Sequence, residues 1–278
     1  MLTLASILGG RDSSDPHWLD RARMFRRVLA ALRKASPGQQ PEPPQLPGRM
    51  RVYAVGDIHG RADLLARMRD LIAADLARTA PDEALVVLLG DYIDRGPDSK
   101  GVLESLAREP FPVPTVALLG NHEAMLLEFL ERPQAGEAWR RFGGIETVHS
   151  YGLEVADLRS ANNLPAVAQA LKAAIPDHHM AFLRGLQTSH RVGGYFFCHA
   201  GVRPGVPLEG QREEDLLWIR DEFIGSDASF GAMVVHGHTP SEQPTVRGNA
   251  IGIDTGAYIT GRLTCLALGP TSMSFLST

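Results

Sequence analysis

A pattern met three times in the first half of the chain constrains its fold more than any other feature. A short apolar run ends on a glycine-flanked cluster of acidic, amide or imidazole residues, and an amphipathic helical stripe follows. Arg51–Val55 runs into Gly56-Asp57-Ile58-His59-Gly60, then Leu64, Leu65, Met68, Leu71, Ile72 and Leu76 recur at helical spacing. Ala84–Leu89 runs into Gly90-Asp91-Tyr92-Ile93-Asp94-Arg95-Gly96, followed by the turn and cap residues Pro97-Asp98-Ser99 and by Val102, Leu103 and Leu106. Val113–Leu119 runs into Gly120-Asn121-His122-Glu123, then Met125, Leu126, Phe129 and Leu130. Strand, polar turn, helix, three times over, predicts βαβ crossovers and a largely parallel sheet. Polar side chains where such strands end reach the crevice in which α/β proteins bind ligands.

The second half carries more strands with shorter connections. Gly194–Cys198 leads to His199-Ala200-Gly201, and Ala232–Val235 leads to His236-Gly237-His238-Thr239-Pro240. Ala250–Asp254 leads to Thr255-Gly256-Ala257-Tyr258, and apolar runs at Leu263–Leu268 and Ser272–Leu276 close the chain. We expect these to form a second, more antiparallel sheet packed on the first. Residues 133–190 hold helical-looking pieces at 138–152 and 164–186 and a turn at Gly143-Gly144, but no motif. They are expected at the rim of the site, where substrate is selected.

The chain has 278 residues, 44% of them hydrophobic, enough for one sizeable core. A net charge of −4 gives no global case for nucleic acid. Two cysteines, Cys198 and Cys265, are too few for a disulfide framework. No apolar stretch approaches the roughly 18 residues of a membrane span, and Met1–Gly10 lacks the basic start of a signal peptide. The expectation is a soluble, cytoplasmic protein. Residues 1–48 read as an appendage to a catalytic domain at 49–278. In that appendage Trp18, Leu19, Ala22, Phe25, Val28, Leu29 and Leu32 recur at helical spacing, beside a surface rich in arginine. A proline-rich linker, Ser36–Gly48, follows. Such a helix docks on its own domain, on a partner or second copy, or on an anionic membrane surface.

Asp, Asn and His without Cys form a hard-to-borderline ligand set that suits Mn, Fe or Zn. Asp57 and His59 are two residues apart, so from an extended backbone both point the same way, toward one cation. We read Asp57, His59, Asp91, Asn121, His199 and one of His236 or His238 as a dinuclear centre, with Asp91 the anionic ligand shared between two cations. Two cations about 3.5–4 Å apart clamp a phosphate and activate a bridging water, so no Ser or Cys nucleophile is needed.

Taken together and in order, these five motifs resemble the phosphoprotein phosphatase family of calcineurin-like metallophosphoesterases, nearest in pattern to its bacterial and phage members. The likeness covers roughly residues 50–268. It implies an α/β/β/α sandwich of two mixed sheets flanked by helices. It also implies a metal-dependent phosphomonoester hydrolase, most often a protein Ser/Thr phosphatase, working by direct attack of a metal-bridging hydroxide. A relative of the same superfamily, the symmetrical dinucleoside tetraphosphate hydrolase, is the alternative. At the matching positions Asp57, His59 and Asp91 would hold the first metal and Asp91, Asn121, His199 and His238 the second, with manganese the expected ion. The resemblance gives His122 the role of acid, oriented by Asp94. Arg95 and Arg220, the latter in Leu217-Trp218-Ile219-Arg220, become phosphate-binding residues, with Tyr258 and His236 candidates for lining the site. The substrate would be a phosphoprotein or a small phosphoester. Two departures stand out: Leu119 occupies a position that is Arg in eukaryotic relatives, and Asp254–Tyr258 replaces their C-terminal signature.

Overall fold

The computed structural model describes residues 44–108, 111–154 and 163–278. The expected N-terminal helix and most of the linker lie outside the described residues. The linker's end does not: Leu46 is buried in the core, and the Gly194 amide donates to the Gln45 carbonyl at 2.9 Å.

The described chain runs β1 (Met50–Val55), α1 (Ala62–Thr79), β2 (Glu83–Leu88), α2 (Ser99–Arg108), β3 (Thr115–Ala117) and α3 (Asn121–Glu131). Short helices α4 (Gly136–Trp139) and α5 (Ile145–Ser150) flank a wide π-type turn at Arg140–Gly144, and α6 (Leu164–Ala174) and α7 (Asp177–Arg184) follow. Then come β4 (Ser189–Val192), β5 (Tyr195–Cys198), α8 (Glu213–Trp218), α9 (Asp221–Ile224) and β6 (Met233–His236). The chain closes with β7 (Thr245–Val246), β8 (Ala250–Gly252), α10 (Ala257–Thr260), β9 (Thr264–Leu268) and β10 (Met273–Ser277).

These strands form two five-stranded sheets, in the orders β10-β9-β1-β2-β3 and β4-β5-β6-β8-β7. β1, β2 and β3 are parallel, as the crossover pattern predicts. The second sheet departs from expectation in two ways. β9 and β10 do not belong to it; they add antiparallel to the edge of the first sheet beside β1. And its centre, β5-β6-β8, is parallel, with antiparallel strands only at its edges. The physical reason is the connection between β5 and β6. It is long enough to carry α8 and α9 and so makes a crossover rather than a hairpin.

Alternation along the strands fixes the layers. Val52, Ala54, Val87, Leu266 and Leu268 meet Phe197, Val235 and Ile251 between the sheets. Their neighbours Tyr53, Val55, Val86 and Leu88 face Leu65, Met68, Leu103 and Phe129 of the helices. On the far side Phe196, Cys198 and Val234 pack on Leu216 and Phe223. The result is helix, sheet, sheet, helix. Each fully buried large side chain contributes about 1.5–3 kcal/mol of apolar transfer energy. The parallel strands β1, β2, β3, β5, β6 and β8 all deliver their following loops to one end of this sandwich.

Candidate metal centre and its surroundings

Asp57 and His59 leave β1, Asp91–Arg95 leave β2, Asn121 opens α3, His199 leaves β5 and His238 leaves β6. The turns are sharp. Among the described residues six non-glycine positions have positive φ, and five of them are His59, Asp91, Asp94, Arg95 and His238. Backbone held in the left-handed region costs of order 1–3 kcal/mol per residue and concentrates at functional sites. Gly90 (φ 100°) lies against Gly120, where a Cβ would stand 2.7 Å from the Gly120 Cα, so the two loops carrying Asp91 and Asn121 touch backbone to backbone.

Asp91 divides its carboxylate between two groups of donors. Its Oδ2 lies 3.5 Å from His59 Nε2 and 3.7 Å from His122 Nε2, and its Oδ1 lies 3.3 Å from His199 Nε2. Burial opposes its charge, but the imidazoles of His199, His122 and His59 hold the carboxyl well below the usual carboxylate range. On the second side three further donor atoms crowd together. Asn121 Oδ1 is 2.8 Å from His199 Nε2 and 2.9 Å from His238 Nδ1, and the two imidazole nitrogens are 3.2 Å apart.

The ring orientations fit a cation. His59 Nδ1 donates to the Ile93 carbonyl and His199 Nδ1 to the Leu89 carbonyl, both at 2.9 Å, so each turns an Nε2 lone pair inward. Burial lowers both imidazoles, His59 to about 3, and keeps them neutral. Nε2 of His199 therefore faces Asn121 Oδ1 lone pair to lone pair, an arrangement a metal ion resolves. Carboxylates crowd as well. Burial, with Asp254 and Asp91 nearby, pushes Asp57 well above its ordinary value, and burial pushes Asp254 up to about 6. Asp57 itself accepts the His238 amide at 3.0 Å, which ties the first loop of one sheet to the last motif of the other. Asp254, at the end of β8, was not singled out by the sequence as a site residue.

His122 is wholly buried. Its Nδ1 lies 2.6 Å from Asp94 Oδ2, while its Nε2 has no partner. Burial works against protonation, but Asp91 and Asp94 outweigh it and raise the imidazole above its ordinary value. Asp94 is clamped in turn: Trp139 Nε1 donates to Oδ2 at 2.8 Å and Thr147 Oγ donates to Oδ1 at 2.6 Å. Its amide lies 3.0 Å from Ser99 Oγ. Arg95 Nη1 donates to His59 Nε2 and Arg220 Nε to His238 Nε2, both at 3.0 Å, so both guanidinium groups stand at the donor cluster. Arg95 is packed under Gly143 (φ 104°), whose carbonyl accepts the Arg95 amide at 3.1 Å. A Cβ on Gly143 would lie 2.6 Å from Arg95 Cγ.

Tyr258 lines the site: its ring is 5.3 Å from that of His59 and lies beneath Arg95. His236 does not join the cluster. It shares a strand face with Val234, which points toward the α8–α9 layer, and its ring packs edge-on to Phe223 at 5.0 Å. Glu123 does more than favour a helix start. It accepts the amides of Asp91 (2.9 Å), Tyr92 (2.8 Å), Ile93 (3.2 Å) and Gly120 (3.1 Å), although burial and Asp91 push its pKa up to about 8. At the mouth, half-exposed Phe142 and Trp218 meet at 6.4 Å, the first beside His122 and the second beside His238.

The profile of the calcineurin-like phosphoesterase family matches residues 50–269. The chain is 31% identical over 219 residues to serine/threonine-protein phosphatase 1 of Salmonella typhimurium, covering 77% of this chain and 89% of that protein. It is 30% identical to serine/threonine-protein phosphatase 2 of Escherichia coli, covering 76% and 90%. Among solved structures, a putative diadenosine tetraphosphatase shares the fold, with a TM-score of 0.56 at 21% identity, covering 82% of this chain and 97% of the other.

Proposed function

This chain belongs to the calcineurin-like phosphoesterase family, and from that premise we propose that it is a dinuclear metallophosphatase cleaving phosphate monoesters as a protein serine/threonine phosphatase. Divalent metal ions come with the family; manganese is our choice for this donor set, ahead of iron and zinc. Asp57, His59 and Asp91 would hold one ion and Asp91, Asn121, His199 and His238 the other. When bound, the pair supplies Lewis acidity to the phosphoryl oxygens and lowers the pKa of the attacking water.

The side chains divide the remaining work. Arg95 and Arg220 reach the donor cluster from opposite sides, and their planar forks suit two phosphoryl oxygens each. His122 carries a proton on Nε2 and delivers it to the departing alkoxide, with Asp94 fixing Nδ1. Trp139 and Thr147 hold Asp94 so that the acid does not drift. Cys198, beside His199, is buried and its thiol is pushed far up, so it does not compete as a nucleophile. Residues 49–278 form the catalytic body in this reading, with 1–48 an appendage, and the two free buried thiols suit a cytoplasmic location. No helix among the described residues is long and apolar enough to cross a membrane.

One observation carries the proposal: a buried imidazole, His122, fixed on one nitrogen by Asp94 and left unpartnered on the other beside the shared carboxylate of Asp91. A second reading, hydrolysis of dinucleoside polyphosphates, draws on the Phe142–Trp218 pair, whose faces could stack a base. The two separate by kcat/KM on a phosphoserine peptide, a phosphotyrosine peptide and diadenosine tetraphosphate, with manganese supplied. Preference for the phosphoserine peptide supports the first reading, and preference for the dinucleotide replaces it with the second.

A further inference from the structure

A second group of ligand-type side chains lies on the helices behind the metal centre. Glu104 on α2 faces His178 and His179 on α7. His178 Nε2 is 2.8 Å and His179 Nε2 2.9 Å from the same oxygen, Glu104 Oε2. The three ligand atoms all lie within 4.8 Å of one another. The two rings stand 74° apart with centroids at 4.5 Å, so consecutive residues on one helix present their nitrogens to one point from different directions. His179 has no exposed side chain, and its Nδ1 is 2.8 Å from the hydroxyl of Tyr151. That contact orients the ring as outer partners of metal-bound histidines do. His178 is 29% exposed and Glu104 46%, so the group lies at the protein surface.

We propose that Glu104, His178 and His179 form a separate cation site of the zinc class, independent of the Asp91 centre. Two imidazoles and one carboxylate, with a fourth position open to water, are the ligand set such ions take, and magnesium and calcium do not seek two imidazoles. The two nitrogens lie 2.8 and 2.9 Å from the shared Glu104 oxygen, and bonds of about 2.0–2.2 Å to one ion would move these ligand atoms slightly apart. The proton balance closes. Without metal, His179 Nε2–H donates to Glu104, the Tyr151 hydroxyl donates to His179 Nδ1, and His178 Nε2 accepts from Arg108 Nε, so its proton is on Nδ1. With metal, both imidazoles stay neutral: His179 moves its proton to Nδ1 and donates to Tyr151 Oη, and His178 keeps its proton on Nδ1. The neighbouring cations are Arg108 and Lys100. Arg108 Nε lies 3.0 Å from Glu104 Oε1 and 3.1 Å from His178 Nε2; it keeps the first contact and gives up the second. Lys100 stands over the Tyr151 ring, 6.0 Å away. The site would tie α7 to α2 and, through Tyr151, to the end of α5, two helices whose Ser99 and Thr147 hold Asp94.

The test uses the full chain, stripped of metal, reloaded with zinc and dialysed, comparing wild type with His178→Ala and Glu104→Gln. Elemental analysis should find about one zinc equivalent fewer in each variant than in wild type. Zinc should raise the Tm of wild type above that of His178→Ala, and phosphatase activity with manganese should be unchanged. The difference is read whatever the Asp91 centre retains, so failure of the one assignment does not touch the other. Equal zinc content in wild type and both variants would leave only a hydrogen-bonded clip and overturn the proposal.

Discussion

Trp139 Nε1 donates to the Asp94 oxygen that also holds His122, at 2.8 Å, so one buried indole at the end of α4, 45 residues away, sets the angle of the proposed acid. Trp139→Phe keeps an aromatic ring against Phe129 and removes the N–H together with part of the buried indole. A hydrogen bond to a charged group contributes about 1.5–3 kcal/mol, and part of that loss should appear in the transition state. We expect kcat to fall roughly tenfold, at about 1.4 kcal/mol per decade, with metal content and KM little changed. Steady-state kinetics with elemental analysis decides it; an unaltered kcat would mean Asp94 needs no help in aiming His122.

His122→Asn should cost more. General acid catalysis contributes about 10²–10⁴-fold, and turnover should drop by that order while both metals stay bound. The pH profile provides a second check. Asp91 and Asp94 hold the folded pKa of His122 above its ordinary 6.5 against the opposing effect of burial. In the proposed mechanism the active form is protonated, so activity declines as pH rises through that raised pKa. The variant should lack this basic limb. A limb that persists in His122→Asn belongs to another group.

The proposed bridging role of Asp91 predicts a double loss. Its Oδ1 faces His199 and its Oδ2 faces His59, so Asp91→Asn removes the charge between both ions at once. Metal analysis should show both positions depleted, whereas His59→Ala should deplete mainly one. A full complement in Asp91→Asn would contradict the shared-ligand assignment.

How much of this was legible in the sequence depends on how each residue acts. Asp57, His59, Asp91, Asn121, His199 and His238 could be picked out as candidate ligands because donor chemistry confines a metal ligand to few residue types and each follows an apolar run that ends in a turn. Trp139, Thr147 and Ser99 could not. They act through contacts with Asp94 across 45, 53 and 5 residues, and nothing in local spacing marks a Trp or Thr as a carboxylate clamp. His178 and His179 match no motif, and only the packing of α7 on α2 brings them to Glu104. The strands themselves were clear, but period-two alternation says that a strand has two faces, not which sheet it joins. β9 and β10 therefore read as part of the second sheet when they complete the first. For His236 the alternation was informative and outranked by proximity to the motif: it shares a face with Val234 and turns away from the cluster.

Glu123 offers a test of the frame rather than the chemistry. Four amides converge on it, three from the loop that carries Asp91. Glu123→Gln presents an NH₂ group to some of these donors and leaves them unmatched, at about 1–3 kcal/mol for each buried group. Lower stability and weaker metal retention should appear together, because the loop that loosens is the one holding the shared ligand. Thermal melts of the metal-free and metal-loaded forms would measure both; a loss of stability with metal affinity intact would separate the frame from the site.

The last expectation lies at the opposite end of the sheets. Asp75 on α1 is buried and accepts from Arg51 and Tyr53 of β1, at 2.6 and 2.8 Å, and from Arg78. Burial raises its pKa, but Tyr53, Arg51 and Arg78 together outweigh that and leave it below the ordinary carboxylate value. A depressed folded pKa means the unfolded chain takes up the proton first as acid is added. The stabilisation is therefore complete above the unfolded value near 3.9 and is lost as pH falls through the lower folded value. Asp75→Asn strands the buried guanidinium of Arg51 and should cost about 3 kcal/mol at pH 7, the low end for a broken buried pair. In urea melts the gap between wild type and variant should be constant from neutrality down to about pH 5 and shrink below pH 4. A gap that does not narrow in acid would show that the helix is held to the sheet by packing rather than by this charge.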